Sequence, residues 1–156
     1  MTDNEFIELC IEMAITNVAS RFGGPFAAII VKDDKIVGKG TNLVTKLNDP
    51  TAHAEVMAIR DACSNLKTFQ LRGCQIYCSC EPCPMCFGAI FWARLDKVFF
   101  AAQKGHASYA GFDDSFIYEQ IDVSPGSRSI PFKQILSHRL NEPFEMWKEK
   151  NDRIEY

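Results

Sequence analysis

The sequence predicts an α/β protein, a three-layer α/β/α sandwich with a central mixed sheet of about five strands. Segments with helical spacing alternate with short β-prone runs along the chain, which is typical of a sheet covered by helices on both faces. A length of 156 residues suits one domain with one core. We find no repeat, linker or low-complexity tract, so we expect a single domain over residues 1–156.

The first third of the chain predicts a helix followed by a hairpin. A Thr-Asp-Asn-Glu capping box begins at Thr2, and apolar residues then recur at helical spacing to about Ser20. Gly-Gly-Pro at 23–25 ends this helix. An apolar run, an Asp-Asp turn and an alternating run within residues 26–41 predict a β-hairpin that opens the sheet.

The middle of the chain predicts two helices separated by a strand. Thr51 is a candidate N-cap, and residues 52–63 predict a helix with His53 in its first turn. A short apolar strand is expected over 74–79. A proline-rich turn then leads into a second helix over about 83–93.

The last third predicts shorter elements. A strand over 98–102 is followed by a long irregular loop that ends at Asp114, and loops of this kind tend to be functional. A short helix from Ser115, a strand over 131–136 and a final helix over 143–150 complete the prediction.

The composition argues against several classes of protein. The net charge of −3 and the pI of about 5.6 give no global attraction to phosphate, so we expect a small-molecule substrate and no nucleic acid. No apolar run reaches the ~18 residues of a membrane span, and the start lacks a secretory signal. The cysteines number seven, an odd count, and four lie within 78–86, which fits metal binding and reduced thiols. We expect a cytoplasmic protein without a membrane partner.

One histidine and two cysteines have the spacing of a metal site. His53 precedes Glu55 by two residues, and Cys83 and Cys86 follow at the start of the second helix, three residues apart and on one face. One imidazole and two thiolates leave a tetrahedral Zn²⁺ with one open position, which is typical of catalytic zinc. We therefore predict one Zn²⁺ per chain, held by His53, Cys83 and Cys86.

Glu55 is the candidate proton shuttle. A carboxylate is a poor ligand in a soft metal site, but it can move a proton from water to a substrate and then to a leaving amine. Cys80 and Cys83 form an alternative Cys-x-x-Cys pair. We prefer Cys83 and Cys86 because both lie at the helix start, whereas Cys80 ends the strand. A core histidine beside a solvated glutamate is the simpler alternative, and the Cys-x-x-Cys motif argues against it.

Two segments that carry these residues resemble a known superfamily. NDPTAHAE at 48–55 and SCEPCPMC at 79–86 are similar to the zinc-dependent nucleobase deaminases, for which His-x-Glu and Pro-Cys-x-x-Cys are the signature. The chain resembles the bacterial guanine deaminases of this cytidine deaminase superfamily over nearly its full length. The more selective segments are GGPF at 23–26, GAIFWAR at 88–94, AGFDDSFIY at 110–118 and the terminal Glu-Tyr at 155–156.

The resemblance implies a reaction and a set of substrate contacts. The reaction is hydrolysis of guanine to xanthine and ammonia in purine metabolism. Asn42 is implied to hydrogen-bond the base, Phe26 and Trp92 to enclose it, and Asp114 to read the purine and assist proton transfer. Composition alone would place Phe26 and Trp92 in the core and Asp114 in a solvated loop.

The resemblance also implies a homodimer. Its C-terminal segment, about 140–156, is expected to be exchanged between subunits so that Tyr156 closes the partner's pocket. Composition alone would leave Tyr156 in a frayed terminus.

Three other functions remain open from the sequence. A tRNA adenosine deaminase carries very similar zinc segments but needs basic and aromatic surfaces for a flipped nucleotide. A cytosine deaminase is not excluded by spacing. A zinc-binding module without catalysis is disfavoured by Glu55, because a structural site has no use for a proton shuttle.

Overall fold

The computed structural model describes residues 1–156, which fall into two compact units, Met1–Asp114 and Ser115–Tyr156. The first unit holds a four-stranded sheet in the order β2-β1-β3-β4. Its strands are β1 (Ala27–Lys32), β2 (Lys35–Thr41), β3 (Gln75–Cys80) and β4 (Lys97–Ala102). β1 is antiparallel to β2 and β3, and β3 is parallel to β4. This mixed sheet with helices on both faces confirms the predicted α/β/α class.

Five helices belong to the first unit. They are α1 (Asp3–Ala19), α2 (Val44–Leu47), α3 (Ala54–Leu66), α4 (Pro84–Trp92) and α5 (Lys104–Tyr109). The predicted capping box begins α1, since the Glu5 N–H donates to Thr2 Oγ1 at 3.3 Å and the Thr2 N–H donates to Glu5 Oε2 at 2.7 Å. No helix of the structure combines the length and the apolar character needed to cross a membrane.

The two faces of the sheet bury different side chains because strand residues alternate. Ile29 and Val31 of β1 pack with Phe6 and Cys10 of α1 on one face. Ala28 and Ile30, one residue out of phase, pack against α3 and α4 on the other. The core therefore lies on both sides of the two central strands, β1 and β3.

The contact between β2 and α3 sets the position of the site. A Cβ atom on Gly40 would lie 2.1 Å from the carbonyl oxygen of Ala54, and one on Gly38 would lie 2.6 Å from that of Ala58. Only glycine permits this approach, and the small residues at 54, 58 and 62 complete it. The start of α3 is thus pressed against the end of β2.

Three details of the first unit differ from the sequence prediction. The helix expected from residue 52 begins at Ala54, because Thr51 donates its N–H and its hydroxyl to Asp49 Oδ1 and does not cap the helix. The loop predicted to be irregular before Asp114 contains α5. The segment after β2, for which no element was predicted, contains the short helix α2.

The second unit contains two helices and no strand. They are α6 (Ser115–Asp122) and α7 (Glu142–Glu149), with a 3₁₀ turn at Pro125–Ser127 between them. The strand predicted over 131–136 is absent, so the sheet has four strands, not five. A strand needs a neighbouring strand for its hydrogen bonds, and this unit offers none. Ile135 and Leu136 are 90% and 76% exposed.

Candidate active site

Three side chains converge where a metal ion fits. The Nδ1 atom of His53 lies 3.5 Å from Cys83 Sγ and 3.6 Å from Cys86 Sγ, and all three ligand atoms lie within 4.8 Å of one another. In a tetrahedral zinc site with Zn–S of about 2.3 Å and Zn–N of about 2.0–2.1 Å, a sulfur and a nitrogen ligand are roughly 3.6 Å apart. The residues present therefore fit Zn²⁺, and the structure places the three predicted ligands where they could hold it.

The ends of two helices bring these ligands together. His53 is the N-cap of α3 and Cys83 is the N-cap of α4, and neither side chain is used to cap its helix. Pro84 at the first position of α4 suits a helix start because its nitrogen has no hydrogen to leave unpaired. Cys86 lies in the first turn and is fully buried. The positive ends of the α3 and α4 dipoles thus face one site and favour thiolates.

The two thiols differ in their pKa. That of Cys83 is lowered to about 4, because Cys86 hydrogen-bonds to its sulfur and His53 does so as well. The pKa of Cys86 is raised by the same hydrogen bond to Cys83 and by burial. The lowered pKa of Cys83 favours a thiolate, which is the form of cysteine that binds a soft cation.

Glu55 lies directly beside the metal ligands. It is the only charged residue that is buried, with 8% of its surface exposed. The Cys86 Sγ atom lies 3.3 Å from its Oε2 atom. Burial raises the pKa of Glu55. A carboxyl group with a raised pKa is a better proton acceptor than an ordinary one, and its place beside the metal ligands suits a proton shuttle.

Cys80 lies outside this group. It is buried at the end of β3, and its sulfur points to the carbonyl oxygen of Gln103 at 3.9 Å. The group that can hold a metal contains Cys83 and Cys86 but not Cys80. The structure therefore groups the second of the two overlapping pairs with His53, and the choice of that pair as metal ligands stays a prediction.

Strand pairing brings two of the predicted substrate residues side by side. Phe26 immediately precedes β1 and Asn42 immediately follows β2, and the Asn42 N–H donates to the Phe26 carbonyl at 3.0 Å. Asn42 is buried, at 8% exposure. Because Gly40 touches the first turn of α3, Asn42 lies at the same end of the sheet as His53.

Asp114 ends the first unit. It is half-buried, and burial raises its pKa, with Lys104 opposing the shift and the charge of Cys83 adding to it. Phe112 just before it packs edge to face on Phe26, with ring centroids 5.0 Å apart. The loop that carries Asp114 is therefore fixed against Phe26.

Two predicted substrate residues lie elsewhere in the chain. Trp92 is the last residue of α4, about 12 Å along the helix axis from its first residue, and is 64% exposed. Tyr156 lies in the second unit, where its ring is 6.5 Å from that of Trp147. Their substrate roles stay predictions.

One buried polar residue near this end of the sheet was missed by the sequence analysis. Asn17 is 3% exposed and donates from Nδ2 to the carbonyl oxygens of Gly24 and Asn42. A signal was present, because Asn17 continues the helical stripe of Phe6, Cys10 and Ala14 that faces the sheet. A polar residue on an apolar helix face needs partners inside the protein.

Comparisons with known proteins agree with this geometry. Residues 1–102 match the family described as the cytidine and deoxycytidylate deaminase zinc-binding region. Guanine deaminase of Bacillus subtilis is 49% identical over 156 residues, which is 100% of both chains. The X-ray structure of that enzyme superimposes with a TM-score of 0.98 over 100% of this chain and 99% of the other.

More distant relatives include enzymes with a different substrate. A tRNA-specific adenosine deaminase of Agrobacterium fabrum is 34% identical over 142 residues, covering 88% of this chain and 93% of the relative. A solved structure of guanine deaminase from Nitrosomonas europaea is 34% identical with a TM-score of 0.66, covering 70% of this chain and 63% of the other.

Proposed function

The chain belongs to the zinc-binding family of the cytidine and deoxycytidylate deaminases, and we propose that within it this protein hydrolyses guanine to xanthine and ammonia. The observation that carries the reaction type is the buried Glu55 carboxylate, 3.3 Å from the metal ligand Cys86. The choice of guanine is supported by full-length identity of 49% to the Bacillus subtilis enzyme.

Glu55 performs the proton transfers. When bound, a zinc ion would be held by His53, Cys83 and Cys86 and would supply the positive charge that makes water a stronger acid near neutral pH. Glu55 takes one proton from the attacking water and delivers it to the ring nitrogen beside the amino-bearing carbon. It then carries the second proton to the amino group. The water oxygen becomes bonded to carbon, the C–N bond breaks, and ammonia leaves.

Asn42 recognises hydrogen-bond acceptors of the base, and Asp114 recognises a hydrogen-bond donor. The Asn42 amide donates to acceptors such as guanine O6 and N7. The Asp114 carboxylate accepts from the ring N–H beside the amino group, where adenine has an unprotonated nitrogen. A site built around such a bond discriminates by ~10⁴ or more, because the wrong base leaves a buried group unpaired. Phe26 and Trp92 enclose the ring.

A homodimer with an exchanged C-terminal segment is the second part of the proposal. No residue of the second unit is buried, although it carries apolar side chains such as Phe144 and Ile135. A unit of this size without a core does not fold alone. In the first unit, Phe87, Phe91 and Trp92 of α4 are more than half exposed. A second copy of the chain would cover both of these apolar surfaces, and this supports the exchange. In the exchanged dimer, Tyr156 closes the partner's pocket.

The location of the reaction follows from the thiols. All seven cysteines are free, and two of them are the metal ligands Cys83 and Cys86. A reducing compartment keeps such thiols available. We therefore place the enzyme in the cytoplasm, acting on free purine base.

A substrate panel tests the proposal. Zinc-loaded protein is incubated with guanine, adenine, cytosine and a tRNA anticodon stem-loop, and ammonia release is followed. The proposal expects release from guanine at a rate at least 10³-fold above that from the other three. Preferential release from the stem-loop or from cytosine identifies one of the rival deaminases. Release from none of them would favour a zinc-binding module without catalysis.

A further inference from the structure

Asn17 makes two hydrogen bonds that tie the end of α1 to the candidate substrate residue. Its Nδ2 atom lies 2.9 Å from the carbonyl oxygen of Gly24 and 2.9 Å from that of Asn42. Both partners are acceptors, so the nitrogen of the amide is the atom that faces them. The side chain is 3% exposed, so water cannot replace these bonds.

Asn42 is held at three further points. Its N–H donates to the Phe26 carbonyl at 3.0 Å. Its side-chain Oδ1 accepts from the N–H groups of Gly24 at 3.3 Å and Val44 at 3.4 Å. Two backbone donors fix the oxygen of the amide on that side, which leaves its Nδ2 as the group that Asn42 presents to a base.

Gly24 and Asn42 are therefore held to each other twice, by Asn17 through their carbonyls and by the direct Gly24 bond to Oδ1. The neighbouring glycine is equally close, since a Cβ atom on Gly23 would lie 2.1 Å from the Asn42 carbonyl oxygen. Two consecutive glycines give this loop little stiffness of its own. Asn17 is the side chain that fixes the loop against Asn42.

We propose that Asn17 is a positioning residue for substrate: it holds the Gly23-Gly24 loop against Asn42 so that the Asn42 amide is oriented toward the purine. This inference rests on the proposed function, and it adds a residue to it that does not itself touch the base. Asn17 acts through Asn42, and the proton transfers of Glu55 are independent of it.

The loss of Asn17 is expected to change KM more than kcat. Removing its amide leaves the Asn42 carbonyl without its donor and takes one of two donors from the Gly24 carbonyl, which keeps the Phe26 N–H. The loop then holds Asn42 less firmly, which weakens binding of the base in the ground state and the transition state alike. Such uniform binding appears in KM. A role in folding alone gives the opposite result, because a smaller active fraction lowers kcat and leaves KM unchanged.

A double-mutant cycle tests this coupling in the full-length, zinc-loaded protein. Guanine deamination is measured for the wild type, Asn17→Ala, Asn42→Ala and the double variant, with zinc content and melting temperature recorded for each. We expect Asn17→Ala to lower kcat/KM about tenfold, mainly through KM, and to change it less than about twofold in the Asn42→Ala background. Asn17→Ser retains one donor and should recover part of the loss.

Asn65→Ala is the matched control. Asn65 of α3 also donates from Nδ2 to a backbone carbonyl, that of Val37, at 2.9 Å, but it is exposed and lies outside the site. Its loss should leave KM unchanged.

The possible outcomes distinguish a failure of the proposed function from a failure of the positioning role of Asn17. A wild type inactive on guanine contradicts the proposed function, and the cycle is then measured with the base that the panel identifies. An active wild type whose two substitutions are additive, or whose Asn17→Ala change falls on kcat alone, overturns the positioning role. Failure of both Asn17→Ala and Asn17→Ser to fold also overturns it, since Asn17 would then serve the fold.

Discussion

The two units of this chain differ in whether they complete their own structure. In Met1–Asp114, both faces of the sheet are covered by helices and the zinc ligands converge without help from elsewhere. In Ser115–Tyr156, helices form but no side chain is buried. The candidate site is therefore built in the unit whose packing is complete.

The packing of the first unit holds the residues of the candidate site in place. Close packing holds side chains in fixed positions, and His53, Glu55 and Cys83 lie at the starts of α3 and α4, each of which packs one face into the core. The second unit has no comparable constraint. We expect substitutions to affect the two units in different ways.

The largest effect on rate is expected from Glu55→Gln in the first unit. The amide keeps the shape and one hydrogen bond but cannot carry a proton, so kcat should fall about 10²–10⁴-fold. Zinc content, measured by atomic absorption, and the mass of the protein in solution should not change, because neither depends on the proton. Near-normal ammonia release from the zinc-replete variant would remove Glu55 from the mechanism.

The next effect concerns metal content. Cys83→Ser and Cys86→Ser should each lose most bound zinc, because a serine hydroxyl is a poor replacement for thiolate. Cys80→Ser is the matched control within the same motif and should retain zinc, since its sulfur points to the Gln103 carbonyl. Metal analysis of the three purified variants decides between the overlapping pairs, and zinc loss confined to Cys80→Ser would reverse the assignment.

A smaller effect, on the free energy of unfolding, is expected when one glycine of each unit is replaced by alanine. Gly40→Ala should lower the free energy of unfolding by about 1–3 kcal/mol, because the new methyl group would lie 2.1 Å from the Ala54 carbonyl oxygen. Gly126→Ala meets nothing within 4 Å and should change it by less than about 0.5 kcal/mol. Chemical denaturation of both variants measures the difference. Equal changes in the free energy of unfolding would mean that the two glycines are packed alike, which would contradict this comparison.

The sequence predicted best those segments whose packing and hydrogen-bonding partners lie in the same unit. The capping box at Thr2 and the hairpin of β1 and β2 were predicted because short-range patterns determine them. The zinc ligands were predicted because each of their two motifs is recognisable by itself, although His53 and Cys83 are 30 residues apart. The start of α3 was displaced by two residues, since Asp49 competed for the hydroxyl of Thr51. Local competition of this kind is not visible in spacing.

The predictions were weakest where a segment depends on a partner. The run at 131–136 has strand-forming composition, yet a strand forms only beside another strand, and this unit has none. Asn17 was missed for a different reason. Its role comes from contacts with Gly24 and Asn42, which are 7 and 25 residues away in sequence. Such contacts become visible only once the helix is placed on the sheet.

The most direct test of the proposed exchange combines the active site of one chain with the C-terminal segment of another. A chain lacking residues 152–156 keeps Glu55 and the zinc ligands but has no Tyr156, and should bind zinc with little guanine deamination. Co-refolding it with excess full-length Glu55→Gln chain should restore activity, approaching the wild-type rate per truncated chain, because each intact pocket is then closed by its partner's tail. Full activity of the truncated chain alone, or no recovery in hybrids shown to form by mass, would contradict the account.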